Sequence, residues 1–265
     1  MKKPPALRPA LFLHIQKTAG TSIQVLARRN YGNDGVCSHD DFLKLGREGC
    51  ASYPFISGHF GFDFARPLMP GRFCFTFLRR PQERLLSFYN YSRAQPRGTT
   101  FITDAALEND LDGFLRLADR PNVEPFLYNN MVWQLFHGLD QDSAFYGEFS
   151  DRPTAPRFRP TTFPDAELLR GAKANLRAFD YVGMTETADS DIRSIFQELG
   201  ASLLQEPRHN ESSGPHELAS LPRRTRHLLA DLTQLDQKLY DHASRWHQPH
   251  TRFLLSWLKG FRTGS

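Results

Sequence analysis

The sequence predicts an α/β fold, a mainly parallel sheet with helices packed around it. Two observations carry that expectation. Short apolar runs alternate with stretches of helical spacing from residue 11 to residue 199. Residues 11–29 and 73–93 each read as strand, polar turn, then helix, so one plan occurs twice. At 265 residues the chain can bury a sizeable core and sits at the upper end for one domain. No repeat of solenoid period and no low-complexity tract divides it. It reads as a single domain over 1–265, with an N-terminal tail at 1–9 and a Pro/Arg-rich loop at 151–164.

Leu11 to Ile15 form the first strand. Ile23, Leu26 and Ala27 then make a helical stripe that Thr21 or Ser22 can cap, and Tyr31 to Gly35 end it. Asp40 to Lys44 fit a short helical turn. Pro54 to Gly61 read as a short strand leading into His59, a histidine flanked by Gly58 and Gly61. Phe73 to Leu78 are apolar on both faces, which places this strand centrally in a parallel sheet. Pro81 suits a first helical position, and Leu85, Phe88 and Tyr89 carry the helix to about Arg93. Gln95 to Thr100 are loop. Helices are expected over Leu107 to Leu117 and within Pro121 to Leu135. Prolines 153, 156, 160 and 164 with Arg152, Arg157 and Arg159 mark a basic loop. Pro164 opens a helix to Leu176, Phe179 to Met184 form a strand, and Asp189 or Ser190 caps a helix that Gly200 ends. Leucines 228, 232, 235 and 239 mark one long amphipathic helix from Leu221 to Trp246.

Bulk properties narrow the function. The formal charge of +4, from 33 Lys+Arg against 29 Asp+Glu, suits an anionic ligand. No dense Lys/Arg run makes a case for nucleic acid. Three cysteines without a C-x-x-C pair fit reduced thiols in a cytoplasmic protein, with a Cys37–Cys50 disulfide as the minor alternative. No apolar run approaches the ~20 residues of a membrane span. His242, His247 and His250 are too irregularly spaced to argue for a metal.

Two constellations carry chemistry. The first is Lys17-Thr18-Ala19-Gly20-Thr21-Ser22, between a strand and a helix start. Loop N–H groups and a helix N-terminus there suit an anion. The lysine precedes the glycine, so this is no Walker A loop. The second is Arg79 with Ser87, placed to grip a phosphate from two sides, because the guanidinium fork matches phosphate geometry. Taken singly, each has an ordinary reading as a surface turn or a surface arginine.

Together the two strings resemble sulfotransferases that use 3'-phosphoadenosine 5'-phosphosulfate (PAPS). HIQKTAGTS at 14–22 resembles their 5'-phosphosulfate loop and is especially similar to the heparan sulfate 2-O/6-O-sulfotransferase branch of carbohydrate sulfotransferases. FLRRPQERLLSFY at 77–89 resembles their 3'-phosphate motif, with Arg79, Pro81, Arg84 and Ser87 matching. Arg80 departs from the acidic or amide residue usual there. YVGMTE at 181–186 and RHNESS at 208–213 are similar to a later strand and a polar loop that closes over the nucleotide.

The resemblance spans about residues 11–213. It implies a P-loop-NTPase-like central parallel sheet flanked by helices, with PAPS as sulfuryl donor and PAP as product. It also implies nucleotide contacts from Lys17, Thr18, Ala19, Gly20, Thr21, Ser22, Arg79, Arg84, Ser87, Arg208, Ser212 and Ser213. The expected acceptor is a hydroxyl, on a carbohydrate or glycolipid, with no metal and no nucleic acid involved. Transfer to an alcohol needs a base. His59 is preferred by its residue type, its glycine flanks and the histidine of related enzymes. His14 is assigned a structural role, packed inside its strand. His39, Glu83 and Glu124 are distant alternatives. A P-loop-like kinase, which would need a Mg²⁺-binding acid, and a nucleotide-binding protein without transfer activity are the competing readings.

Overall fold

The computed structural model describes residues 7–137, 159–201 and 217–245. Five strands form one parallel sheet in the order β2-β3-β1-β4-β5. They are β1 (Ala10–Leu13), β2 (Val36–Cys37), β3 (Phe55–Gly58), β4 (Phe73–Leu78) and β5 (Tyr181–Met184). The helices are α1 (Gly20–Tyr31), α2 (His39–Cys50), α3 (Phe62–Ala65), α4 (Pro81–Arg93), α5 (Phe101–Glu108), α6 (Leu111–Arg116), α7 (Glu124–Leu127), α8 (Asn130–Phe136), α9 (Asp165–Leu176), α10 (Ala188–Glu198), α11 (Arg223–Leu232) and α12 (Gln234–Ser244).

Every residue of β1, β3 and β4 is buried, as apolar runs on both faces require. Phe73, Phe75 and Phe77 of β4 turn to one face with Phe12 and Phe55, against Ile23 of α1 and Ile195 and Phe196 of α10. Cys74 and Leu78 turn to the other, with Leu11, Leu13 and Ile56, against helices that include α8, α9 and α12. A separate apolar cluster joins α4 to α5, α6, α7 and α11. The central strand is β1, and β4 lies inside the sheet beside it.

The structure corrects several boundaries. The first strand ends at Leu13, so His14 and Ile15 lie just beyond it. The cap of α1 is Ala19, in left-handed backbone with no side-chain bond, and Thr21 and Ser22 stand inside the first turn. The turn at Asp40 is part of a twelve-residue helix, opened by a Ser38–Asp41 capping box and kinked at Gly46. Strand β2 was not anticipated, because two residues carry no period. The cap of α10 is Thr187, while Asp191 accepts from Met184 N–H (2.9 Å) and the Tyr181 hydroxyl (2.8 Å).

Residues 107–117 are two helices, broken where Asp110 caps Gly113 N–H at 2.7 Å. The other two merged helices share one cause. Asn129 sits in left-handed backbone (φ 45°) and separates α7 from α8. Its N–H donates to Leu232 O (2.7 Å), closing α11, and its Oδ1 accepts from Leu235 N–H (2.8 Å), opening α12. Asp236 returns the favour to α8 by accepting from Val132 N–H at 2.8 Å.

Candidate functional site

The C-terminal ends of β1, β3, β4 and β5 deliver their loops to one cavity of about 770 Å³. That edge of a parallel sheet, where the strand order turns on β1, is where α/β folds hold ligands. The volume suits a molecule of nucleotide size, since such pockets run roughly 300–1,000 Å³. His14, Gln16, Lys17 and Ala19 to Ser22 line it from the first loop, and His59, Arg79 and Glu186 from the next three. Helix α4 adds Ser87 and Tyr91.

The first loop is strained. Lys17 (φ 68°) and Ala19 (φ 64°) both adopt left-handed backbone, which costs a non-glycine residue about 1–2 kcal/mol. Thr18 between them is fully buried, and its hydroxyl donates to Ile15 O at 2.6 Å, so it fastens the turn and does not line the cavity. Left-handed residues in such a turn cup successive N–H groups toward an anion. Helix α1 then starts with no side-chain cap, and its N-terminal end, which favours an anion, stands at the cavity.

Gly20 is required by its neighbour. A Cβ there would overlap Cε1 and Nε2 of His14. His14 in turn stacks on Phe12, ring centroids 5.0 Å apart, and lies 4.3 Å from the His59 ring. Gly20→Ala is therefore expected to destabilise the fold by about 1–3 kcal/mol, as overpacking does. Chemical denaturation measures it.

Two cations face the cavity. Lys17 Nζ lies 3.9 Å from the centroid of the Tyr91 ring. Burial, with Arg79 and Arg84 nearby, pushes its ammonium down to about 8. Arg79 Nη1 donates to Lys17 O at 3.3 Å, and burial lowers its pKa too. Among the described residues neither cation has a carboxylate within ion-pair distance. The acids that line the cavity, Glu83 and Glu186, are held by Arg80, at 3.3 Å and 3.9 Å. The arginine that breaks the expected motif thus lies outside the cavity and pairs with the two acids whose charge also reaches Arg79.

Three imidazoles meet at the cavity. His59 Nδ1–H donates to His14 O (2.9 Å), which leaves Nε2 as the acceptor of the neutral ring. His59 N–H donates to His39 Nδ1 (3.2 Å). Burial pushes His59 down to about 4, with the His14 carbonyl opposing and Lys17 assisting the shift. His39 falls to about 2 and His14 well below its ordinary value, both chiefly through burial. All three are neutral at pH 7.

Lys17, Ala19, Gly20, Thr21, Ser22, Arg79, Ser87 and His59 thus come together. Arg84 does not line the cavity. It is fully buried, with Nη2 donating to Phe126 O (3.3 Å) and burial pushing it down to about 10. Arg208, Ser212 and Ser213 lie outside the described residues, as do residues 1–6 of the tail, 151–158 of the Pro/Arg-rich loop, and Trp246, His247, His250 and Trp257. Glu124 does not line the cavity, and its carboxylate accepts from Arg159 Nη1 (2.9 Å) and Thr161 N–H (2.6 Å). Cys37 and Cys50 are free, with sulfurs 2.9 Å apart. Gln16 and Tyr91 line the cavity with no expectation from the sequence, and it also receives His14, expected only to pack, and His39, a distant alternative for the base. Tyr91 was within reach, since it sits one helical turn after Ser87 on the same face.

A family model described as the sulfotransferase family matches residues 9–243. A search of curated proteins gave no match.

Proposed function

Because the chain belongs to the sulfotransferase family, we propose that it moves a sulfuryl group from PAPS to an acceptor hydroxyl, on a carbohydrate or glycolipid. The observation that carries this reading is the pair Lys17 and Arg79. Both line one cavity beside a helix start without a side-chain cap, and neither has a carboxylate within ion-pair distance among the described residues. Such a site fits a donor carrying anionic groups at two ends.

The roles follow from position. Arg79 and Ser87 hold the 3'-phosphate, and the backbone of residues 18–22 with the Thr21 and Ser22 hydroxyls holds the 5'-phosphosulfate. Lys17 neutralises charge growing on the bridging oxygen as PAP leaves. His59 Nε2 takes the proton of the acceptor hydroxyl, oriented by its Nδ1 bond to His14 O. Arg84 supports the positive field from behind the cavity wall, as its effect on Lys17 indicates. Arg208, Ser212 and Ser213 are proposed to close over the nucleotide on the resemblance alone. Positioning and fixed charge carry the catalysis, as in phosphoryl transfer.

No helix among the described residues is long and apolar enough to cross a membrane. A cytoplasmic setting is proposed on cysteine usage alone, three cysteines without a C-x-x-C pair.

Titration calorimetry with PAP tests the donor site. Arg79→Ala is expected to weaken PAP binding on the order of 10–100-fold, the worth of charge-assisted bonds to a phosphate. Unchanged affinity would remove Arg79 from the donor site.

A further inference from the structure

The strand ends that carry Lys17 and His59 are tied together by one side chain from α8. Gln134 is fully buried. Its Nε2 donates to His14 O at 3.0 Å and to Phe60 O at 2.9 Å. The first of these oxygens also accepts the Nδ1–H of His59 at 2.9 Å, and Phe60 is the next residue after His59. The amide has one sensible orientation, because turned over it would face two acceptors with a third. So oriented, Oε1 has no hydrogen-bond partner among the described residues. A buried amide oxygen left without a partner is costly, and Met or Leu would fill the same space without it. Packing alone does not call for glutamine here.

We infer that Gln134 is a positioning residue for sulfuryl transfer, holding the His14 carbonyl where it fixes the His59 ring and its tautomer. This rests on the reading of His59 as the base. Without the amide, the carbonyls of residues 14 and 60 lose a donor in a closed part of the fold, and the loops after β1 and β3 lose a tie beyond the last ladder bond, His14 N–H to Gly58 O (3.0 Å). The His59 ring then loses a fixed acceptor for Nδ1–H, and the Nε2–H tautomer, which cannot accept a proton at that atom, gains population. Partners that orient a metal-bound histidine through its other nitrogen typically matter by about 10–100-fold, and an effect of that order is expected for the orientation of His59.

The test is a double-mutant cycle of Gln134→Met and His59→Ala, with kcat from PAPS turnover and Kd from PAP titration. Gln134→Met is expected to lower kcat roughly 10–100-fold with PAP affinity within about threefold. Added to His59→Ala, it is expected to change kcat less than about twofold, because its effect passes through a ring no longer present. A multiplied loss in the double variant, or a Gln134→Met enzyme as fast as the parent, overturns the proposal while leaving His59 as base. Parent-like turnover by His59→Ala instead removes the base reading and this proposal with it. Should Gln134→Met not fold, Gln134→Asn, whose amide is too short to reach both carbonyls, carries the same comparison. Nitrogen NMR of the histidines in the parent protein gives an independent check: a His59 protonated at Nε2 overturns the proposal, and one protonated at Nδ1 supports it.

Discussion

Lys17→Ala is expected to lower kcat by at least ~100-fold while PAP binding stays largely intact. The asymmetry is the informative part. Arg79, Ser87 and the loop backbone hold the nucleotide from other directions, so losing one ammonium leaves most of its contacts. The charge that develops on the bridging oxygen exists only as the bond to sulfur breaks. An interaction strongest at that moment appears in kcat rather than in ground-state affinity. The fold commits resources to this placement, since Lys17 is held in left-handed backbone and parked on Tyr91. Equal losses in PAP affinity and kcat would make Lys17 an ordinary binding residue.

His59→Ala is expected to cost at least ~100-fold in kcat, the contribution of a positioned general base. The pH dependence gives this a second signature. Burial pushes His59 down to about 4, so the ring is neutral and able to accept a proton above that pH and loses the ability as pH falls through it. Lys17, pushed down to about 8, loses its charge as pH rises through that value. The profile of kcat/KM for the donor, which reports the free enzyme, is therefore expected to be a bell with limbs near 4 and 8. Bound donor adds negative charge beside both groups and favours their protonated forms, so both limbs of kcat move upward. His59→Ala removes the acid limb. An acid limb near 6.5 that survives His59→Ala would assign the proton to another group.

The sheet was legible because β4 writes both faces in apolar residues and because strand, turn and helix recur at residues 11–29 and 73–93. Lys17, Arg79, Ser87 and His59 were legible for the same reason. Each follows a strand or a strand-borne helix, and parallel strands bring such positions to one edge. Helix ends were less legible. Asn129 splits two helical regions through bonds to Leu232 and Leu235, about a hundred residues away, and local spacing carries no trace of them. Arg80 read as a motif violation, and only its contacts with Glu83 and Glu186 give it a purpose. His14 read as packed strand. It stands one residue past the strand end, where the missing Cβ of Gly20 makes room for its ring. Gln134 had no sequence signal, because its partners are backbone carbonyls of two other segments.

The measurement that bears most directly on the central claim is transfer of label from sulfur-labelled PAPS to a panel of glycans, glycolipids and phenols, with phosphate-labelled ATP and Mg²⁺ in a parallel arm. Label moving from PAPS to a hydroxyl, with PAP formed in equal amount and the rate lowered at least ~100-fold by Lys17→Ala, is the predicted result. Phosphate passing from ATP to the same acceptors, or PAP bound tightly with no sulfuryl transfer to any hydroxyl, would contradict it.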